Sequence, residues 1–430
     1  MDEPKVCVIN VVGLTPALLK WAPTISGLGK ATRWRSPVPA VTCTSQATML
    51  TGEAPSGHGI VGNGWYFRET GEIRFWQQSR NLIDSRRLVY DGLETANLFW
   101  WFNQHNRVRW SATPKPHYGC DGSKVFDILD HTECQLQQRL GKFPFFTFWG
   151  PNAGLPSSRW IADAAAVVLR EKRPSLTFVY LPHLDYDFQR FEKPSPTRVT
   201  EVDQCAKTII EAARSIDAQP IIVSEYGLTP VHKAVGINLA LRDAGLLEVR
   251  DGPFGEMMMP GDSRAFAVVD HQIAHLYVRD PQDRDAVRKL VESIDGVDQV
   301  ADPGDLQLNH PRSGDWIVLA QPDSWFHYYY WLQDSKAPDF ARTVDIHRKP
   351  GYDPVELFMS SKLRAMFRIA QKKAGLRYKM DVIPLDPNLV RGSHGLLQMG
   401  DHGPLIIGPD APSDMKEFPG YIRGLLGRAW

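Results

Sequence analysis

An excess charge of either sign is missing from this sequence: its 430 residues carry 49 Lys plus Arg and 49 Asp plus Glu. No global field would hold such a chain on DNA or on an anionic membrane, so neither a nucleic-acid polymer nor a membrane is expected as a partner. Cysteine is scarce as well. The five present (Cys7, Cys43, Cys120, Cys134, Cys205) are an odd number, widely spread and without C-x-x-C spacing, which argues against thiolate zinc or dithiol chemistry and for a reduced, intracellular setting. Long apolar runs are also lacking. Asp2 and Glu3 lead directly into the short apolar stretch 6–12 with no basic segment before it, so a soluble, cytoplasmic protein is expected. There is no internal repeat and no low-complexity stretch.

The length suffices for a large core, as one catalytic domain carrying a cap. Residues 6–12, Val-Cys-Val-Ile-Asn-Val-Val, are mostly β-branched and end at Gly13, which predicts a buried parallel strand feeding a loop and a helix. Apolar runs recur at 176–181 and 220–224, each after a helix-like segment, at 158–171 and 200–215. This β-α-β alternation predicts an α/β fold with a mostly parallel central sheet flanked by helices. Ligands of such sheets sit at the carboxyl ends of the strands.

Between 64 and 150 the composition turns aromatic, with Trp65-Tyr66-Phe67, Phe99-Trp100-Trp101-Phe102 and Phe145-Phe146-Thr147-Phe148-Trp149. Most such clusters are core, and a minority line pockets. This stretch is expected to be an inserted cap. Residues 251–380 are expected to hold a small α+β subdomain, with strands at 265–269, 273–278 and 316–320 and a helix at 281–293, followed by a helical segment at 355–379 rich in lysine and arginine that reads as a solvated basic face. The core would then comprise 1–63, 151–250 and 381–430.

The segment Pro37-Val38-Pro39-Ala40-Val41-Thr42-Cys43-Thr44-Ser45 runs on to Thr51-Gly52 and then to His58-Gly59-Ile60-Val61-Gly62-Asn63. Prolines keep its start extended, and the Thr/Ser run places Thr42 at or near a helix N-terminus, where the dipole favours an anion. A Thr at that position is ordinarily only a cap. The segment, however, resembles the nucleophile region of the type I phosphodiesterase/nucleotide pyrophosphatase family of the alkaline phosphatase superfamily, in which a Pro-rich strand end carries a nucleophilic Thr ahead of T-G and H-G-I-V-G-N. The resemblance implies that Thr42 is the nucleophile and that Asn63 donates to a phosphoryl oxygen, with His58 stabilising the turn. Trp65 and Tyr66 are candidates to stack on a substrate base.

The same resemblance implies two metal ions held by Asp and His at strand ends, and here the sequence departs from the family pattern. Val12 stands where the first Asp belongs, with Asn10 two residues back on the same strand face. The D-x-x-x-H words become Asp185 and Gln189, with Asp187 and His183 as nearby alternatives. The D-H-G words become Glu225-Tyr226-Gly227, with His232 a few residues on. Gly392-Ser393-His394-Gly395 is intact, and Asp401-His402-Gly403 is a second match to D-H-G. Asn10, Asp185, Gln189, Glu225, Tyr226 and His394 are therefore the candidate metal ligands. Oxygen donors outnumber nitrogen, which leaves open Zn, Mn or Mg and allows one hard divalent ion in place of a zinc pair. His271 and His275 beside Asp270, and His347 beside Asp345, form His-bearing windows outside the pattern.

The expected function is metal-dependent hydrolysis of a phosphodiester, nucleotide pyrophosphate or phosphonate bond in a small phosphoester or nucleotide, through a phospho-Thr42 intermediate. The alternative keeps the fold and serves a non-hydrolytic transfer or a binding role. The sequence does not specify oligomeric state.

Overall fold

The computed structural model describes residues 3–120 and 123–430. The strands that matter for the site are, in chain order, β1 (Lys5–Val11), β2 (Ala31–Arg33), β3 (Thr95–Leu98), β4 (Trp110–Pro114), β5 (Ile128–Asp130), β6 (Leu176–Leu181), β7 (Ala218–Val223), β8 (Ala265–Asp270), β9 (Ile273–Val278), β10 (Val297–Ala301), β11 (Trp316–Ala320) and β12 (Leu405–Ile407). The corresponding helices are α1 (Thr42–Thr51), α2 (Leu155–Lys172), α3 (His183–Phe191), α4 (Pro196–Arg214), α5 (Arg284–Glu292), α6 (Lys362–Lys373) and α7 (Phe418–Leu425).

An eight-stranded sheet runs in the order β2-β12-β7-β1-β6-β3-β4-β5. Its centre is parallel: β1 pairs with β6 and β7, β6 with β3, and β3 with β4. Antiparallel β12 and β5 flank this centre. The two-residue period of β1 explains the layers. Cys7, Ile9 and Val11 face a core shared with α2 and α4, whereas Val6 and Val8 face one shared with α1 and α7. Asn10 continues the second series and so emerges beside α1.

Residues 64–150, expected as an inserted cap, supply β3, β4 and β5 to the central sheet. These strands are only three to five residues long and include Thr, Asn, Ser and Pro, too short and mixed to register as apolar runs. The small subdomain forms as an antiparallel sheet in the order β8-β9-β11-β10, with α5 against it. The segment expected to be helical over 355–379 is α-helical only over α6, from Lys362 to Lys373, after a 3-10 turn at Pro354–Leu357.

β8 and β9 form a tight hairpin in which Asp270 pairs with Ile273, leaving His271 and Gln272 as its two-residue tip. His271 takes a left-handed φ of 65°, a conformation that costs a non-glycine residue energy and tends to persist where function requires it. Gln272 N–H donates to His394 O at 2.9 Å, fastening the tip to the segment that follows Gly392–Ser393. At the end of β1, Gly13 turns the chain with φ 78°, and a Cβ there would lie 3.3 Å from Asp185 N.

The segment carrying Tyr352 is held by a buried ion cluster. Lys349 Nζ lies 2.7 Å from both Asp353 Oδ2 and Glu356 Oε1, with all three side chains at most 3% exposed, and Trp149 Nε1 donates to Glu356 Oε2 at 2.6 Å. Lys349→Met would strand two buried carboxylates, and a loss of roughly 3–5 kcal/mol is expected, read as a lower midpoint in equilibrium urea denaturation.

Candidate active site

Because β1, β6 and β7 are neighbours, their carboxyl ends bring Asn10, Asp185 and Glu225 to one place. Glu225 lies two residues beyond β7, and Asp185 lies in the first turn of α3. Thr42, the first residue of α1, meets them there with its hydroxyl at the positive end of the helix dipole. Asn10, Thr42, Asp185 and Glu225 are all buried.

Glu225 Oε1 accepts from Asn10 Nδ2 at 2.6 Å and from Gln46 Nε2 at 2.5 Å. Gln46, one helical turn after Thr42, in turn accepts from Trp101 N–H at 2.8 Å. Burial raises the Glu225 carboxyl to about 8, against the opposing pull of Gln46, Asn10 and nearby Thr42. Thr42 Oγ1 lies 2.9 Å from Tyr226 OH. Burial, reinforced by Asp185 and Glu225, keeps Tyr226 a neutral phenol. Asp185 is raised to about 7 by burial, opposed by the Gln189 amide, which donates to its Oδ2 at 2.8 Å. The Gln189 carbonyl accepts from Tyr352 OH at 2.7 Å.

His394 lies 2.8 Å through Nδ1 from Ala40 O, and burial holds it well below the usual imidazole range. The neutral ring therefore carries its proton on Nδ1 and turns an acceptor Nε2 toward Asp185 Oδ1, 3.7 Å away. Burial likewise lowers His271, whose Nδ1 is 2.7 Å from Asp270 Oδ1 while Nε2 has no partner. The rings of Tyr226, His394, His271 and Tyr352 form a column with successive centroids 3.7 Å apart. Asp270 also accepts from Asn63, at its backbone N–H (2.7 Å) and its Nδ2 (3.1 Å), and burial raises it to about 6.

The structure thus gathers Asn10, Thr42, Asp185, Gln189, Glu225, Tyr226 and His394. It uses Asn63 differently from the expectation: Oδ1 accepts from Cys43 N–H at 3.0 Å and the amide group binds Asp270, so Asn63 ties the start of α1 to the hairpin. Trp65 and Tyr66 lie elsewhere, Trp65 stacked on Phe67 and beneath Arg312, Tyr66 edge-on to Phe266 and Tyr277. His58 bonds Thr48 and the Ile60 N–H, as a turn residue should. His275 is held between Val61 O and Gly314 N, and Asp187 pairs with Arg190 and Arg198. Asp401 pairs with Arg33 at the surface. Gln46 and Tyr352 were not singled out in the sequence; the spacing of four between Thr42 and Gln46 on one helix was the available signal for the first.

A cavity of about 600 Å³ opens above this cluster. Thr42, Asp185, Tyr226, His271 and His394 line its polar end, and Trp76, Trp101, Trp149, Tyr180, Tyr186 and Tyr352 enclose it.

The implied pair of metal ions does not fit these residues. Val12 packs in the core, the Tyr226 ring lies flat on His394 with its hydroxyl engaged by Thr42, and both ends of the Gln189 amide are taken. Among the described residues no group of three or more His, Cys, Asp and Glu is placed to hold a metal. Asn10 Oδ1, Asp185 Oδ1 and Glu225 Oε2 lack partners, and for the two carboxyls the raised pKa values make a bound proton the charge-neutral complement.

The model of the type I phosphodiesterase/nucleotide pyrophosphatase family matches residues 6–353. No curated protein matches the chain in sequence. Among solved structures, phosphonoacetate hydrolase from Sinorhizobium meliloti 1021 in complex with phosphonoacetate superposes with a TM-score of 0.63 at 16% identity, covering 99% of this chain and 96% of that one. Murine ectonucleotide pyrophosphatase/phosphodiesterase 5 in complex with AMP gives 0.59 at 12% identity, with 99% and 96% covered. These likenesses show the alkaline phosphatase fold.

Asp185, Glu225 and Asp270 all carry folded-state pKa values above the ordinary carboxyl range, near 7, 8 and 6. The native state therefore holds protons that the unfolded chain has already released, and stability falls as pH rises through this window. Buried histidines held neutral, His271 and His394 among them, act in the opposite sense below about pH 6.5, so the thermal midpoint is expected to drop from about pH 7 to pH 9, and Glu225→Gln to flatten that decline. A midpoint that climbs over the same range would contradict the raised carboxyls.

Proposed function

The chain belongs to the type I phosphodiesterase/nucleotide pyrophosphatase family, hydrolases built on the alkaline phosphatase fold, and on that premise we propose that it cleaves a phosphoester, pyrophosphate or phosphonate bond through Thr42, with buried carboxyls moving the protons. The observation that carries this reading is the placement of the Thr42 hydroxyl between the cavity and the Glu225–Tyr226 pair. Members of the family generally depend on divalent metal ions. The donor set here departs from that pattern, and no step below is routed through a metal.

Thr42 Oγ forms the bond to phosphorus as its proton passes to ionised Glu225, with Tyr226 OH hydrogen-bonded to the attacking oxygen. The bond from phosphorus to the leaving group breaks, and Asp185, protonated near neutral pH, gives its proton to the departing atom. With pKa values near 7 for Asp185 and 8 for Glu225, the reacting form is the minority one in which Glu225 has lost its proton while Asp185 keeps its own, and it is populated near neutral pH because the two values lie close together. Water then attacks phospho-Thr42. As the new bond forms, His271 Nε2 takes the water's proton, with Asp270 steadying the imidazolium, the bond from phosphorus to Thr42 Oγ breaks, and Glu225 returns its proton to Oγ. The proton on His271 restores Asp185, which closes the cycle.

The two solved relatives, in complex with phosphonoacetate and with AMP respectively, support a small phosphorus-bearing substrate. The test is turnover of bis(p-nitrophenyl) phosphate. Thr42→Ala is expected to abolish it and Glu225→Gln to lower kcat by about 10²–10⁴-fold. Wild-type turnover is expected to survive exhaustive chelation. Loss on chelation with recovery on adding Mg²⁺ or Mn²⁺ would overturn the proton-based mechanism while leaving Thr42 in place.

A further inference from the structure

The cavity above Thr42 continues far beyond the space a phosphoryl group needs. Besides its aromatic enclosure the lining includes Val344, Ile346, Met359 and Met380, with a minority of polar residues such as Lys124, Asn152 and His347, and Phe146 and Ile369 both line the cavity and are exposed to solvent. A wall so predominantly apolar suits a hydrocarbon chain, which needs no hydrogen-bonding partners, better than a sugar.

Ile369 belongs to α6, and that helix is built asymmetrically. Ala365, Ile369 and Lys372 turn toward the cavity. Leu363, Met366, Phe367 and Ala370 recur at intervals of three and four on another face and are open to solvent, the first three at 78%, 66% and 59%. Every charged residue between 362 and 379 is Lys or Arg, seven in all. Arg364 and Arg368 are tied down by Asp381, while Lys362, Lys373 and Arg377 are exposed. An exposed apolar stripe set among cationic residues is the pattern of a helix lying in the surface of an anionic bilayer. No helix among the described residues is long and apolar enough to cross a membrane, so the contact is interfacial. The balanced total charge conceals this local concentration.

We infer that α6 seats the protein on an anionic membrane surface and that the cavity beside it accepts the apolar chain of an amphiphilic phosphoester or phosphonate drawn from that surface. The phosphorus end of this assignment rests on the function proposed above. The chain-binding end and the docking face stand on the cavity and the helix alone.

Flotation of the full-length protein with vesicles tests the docking. Association is expected with phosphatidylcholine vesicles containing about one-third phosphatidylglycerol and not with pure phosphatidylcholine, and it is expected to fall at least tenfold for both Met366→Asp/Phe367→Asp and Lys362→Glu/Lys373→Glu. These side chains are exposed, so the variants are expected to keep the wild-type thermal midpoint. Tryptophan fluorescence, reporting from Trp76, Trp101 and Trp149, tests the cavity. Monododecyl phosphate below its micellar concentration is expected to bind at least 100-fold more tightly than methyl phosphate, a preference that Val344→Trp or Ala365→Trp should remove. Thr42→Ala is expected to retain both kinds of binding, so its loss of turnover bears on the nucleophile and its lipid binding bears on this inference. Equal affinity for the two phosphates, or no discrimination between the vesicles, would overturn the assignment.

Discussion

The site is organised by one desolvated carboxyl that two different layers of the fold must satisfy. Glu225 emerges from the end of β7, and its Oε1 accepts at once from Asn10 on β1 and Gln46 on α1. Stranding such a group would be expensive, so the sheet and the helix are held to one relative placement. That placement sets the Thr42 hydroxyl beside both Glu225 and Tyr226. Gln46 extends the restraint to the backbone of Trp101, on the cavity wall. The framework that holds Thr42 and the wall of the cavity are thus parts of one hydrogen-bond chain.

The departures from the family pattern are coherent when taken together. Replacing Asp by Val12, His by Gln189 and His by Tyr226 removes charge and nitrogen donors from the centre. The vacated positions are not left as gaps. Tyr226 starts the four-ring column that runs through His394 and His271 to Tyr352, and Gln189 spans Asp185 and Tyr352. The column joins the central sheet, the tip of the small-sheet hairpin and the segment braced by Lys349. Stacking and amide bridges hold these elements together. His271 can keep its left-handed backbone because Asp270, Tyr352 and His394 surround its ring.

Much of this was legible before folding, for physical reasons. Strands β6, β8 and β9 are buried along their whole length and β11 over most of it, so they stand out as mainly apolar runs; strand ends said where to look, and the family-like words singled out Asp185 and Glu225. Thr42 and His394 were readable only through the family-like words around them. What stayed hidden depends on contacts distant in sequence. Asn63 and Asp270 meet across 207 positions, and nothing local announces that the Asn63 amide is committed to Asp270 and Cys43. Strands β3 to β5 escaped notice because they are only three to five residues long and mix polar with apolar residues. The pattern of α6 was visible as basic and helical, but periodicity does not tell an apolar stripe that is packed from one left in solvent.

The aromatic wall and the raised carboxyls are two consequences of the same exclusion of water. A cavity lined by Trp76, Trp101, Trp149 and Tyr352 gives a polar cluster few solvent dipoles, and the protonated forms of Asp185 and Glu225 are favoured for that reason. In the reaction proposed above, the same low dielectric would strengthen the α1 terminus and the Tyr226 hydroxyl as fixed groups facing a developing phosphoryl charge. An apolar chain filling the outer cavity would complete the exclusion, because it displaces the remaining water from the approach to Thr42. Substrate binding and tuning of the proton-transfer groups would then be coupled through solvation alone, without any change in the backbone.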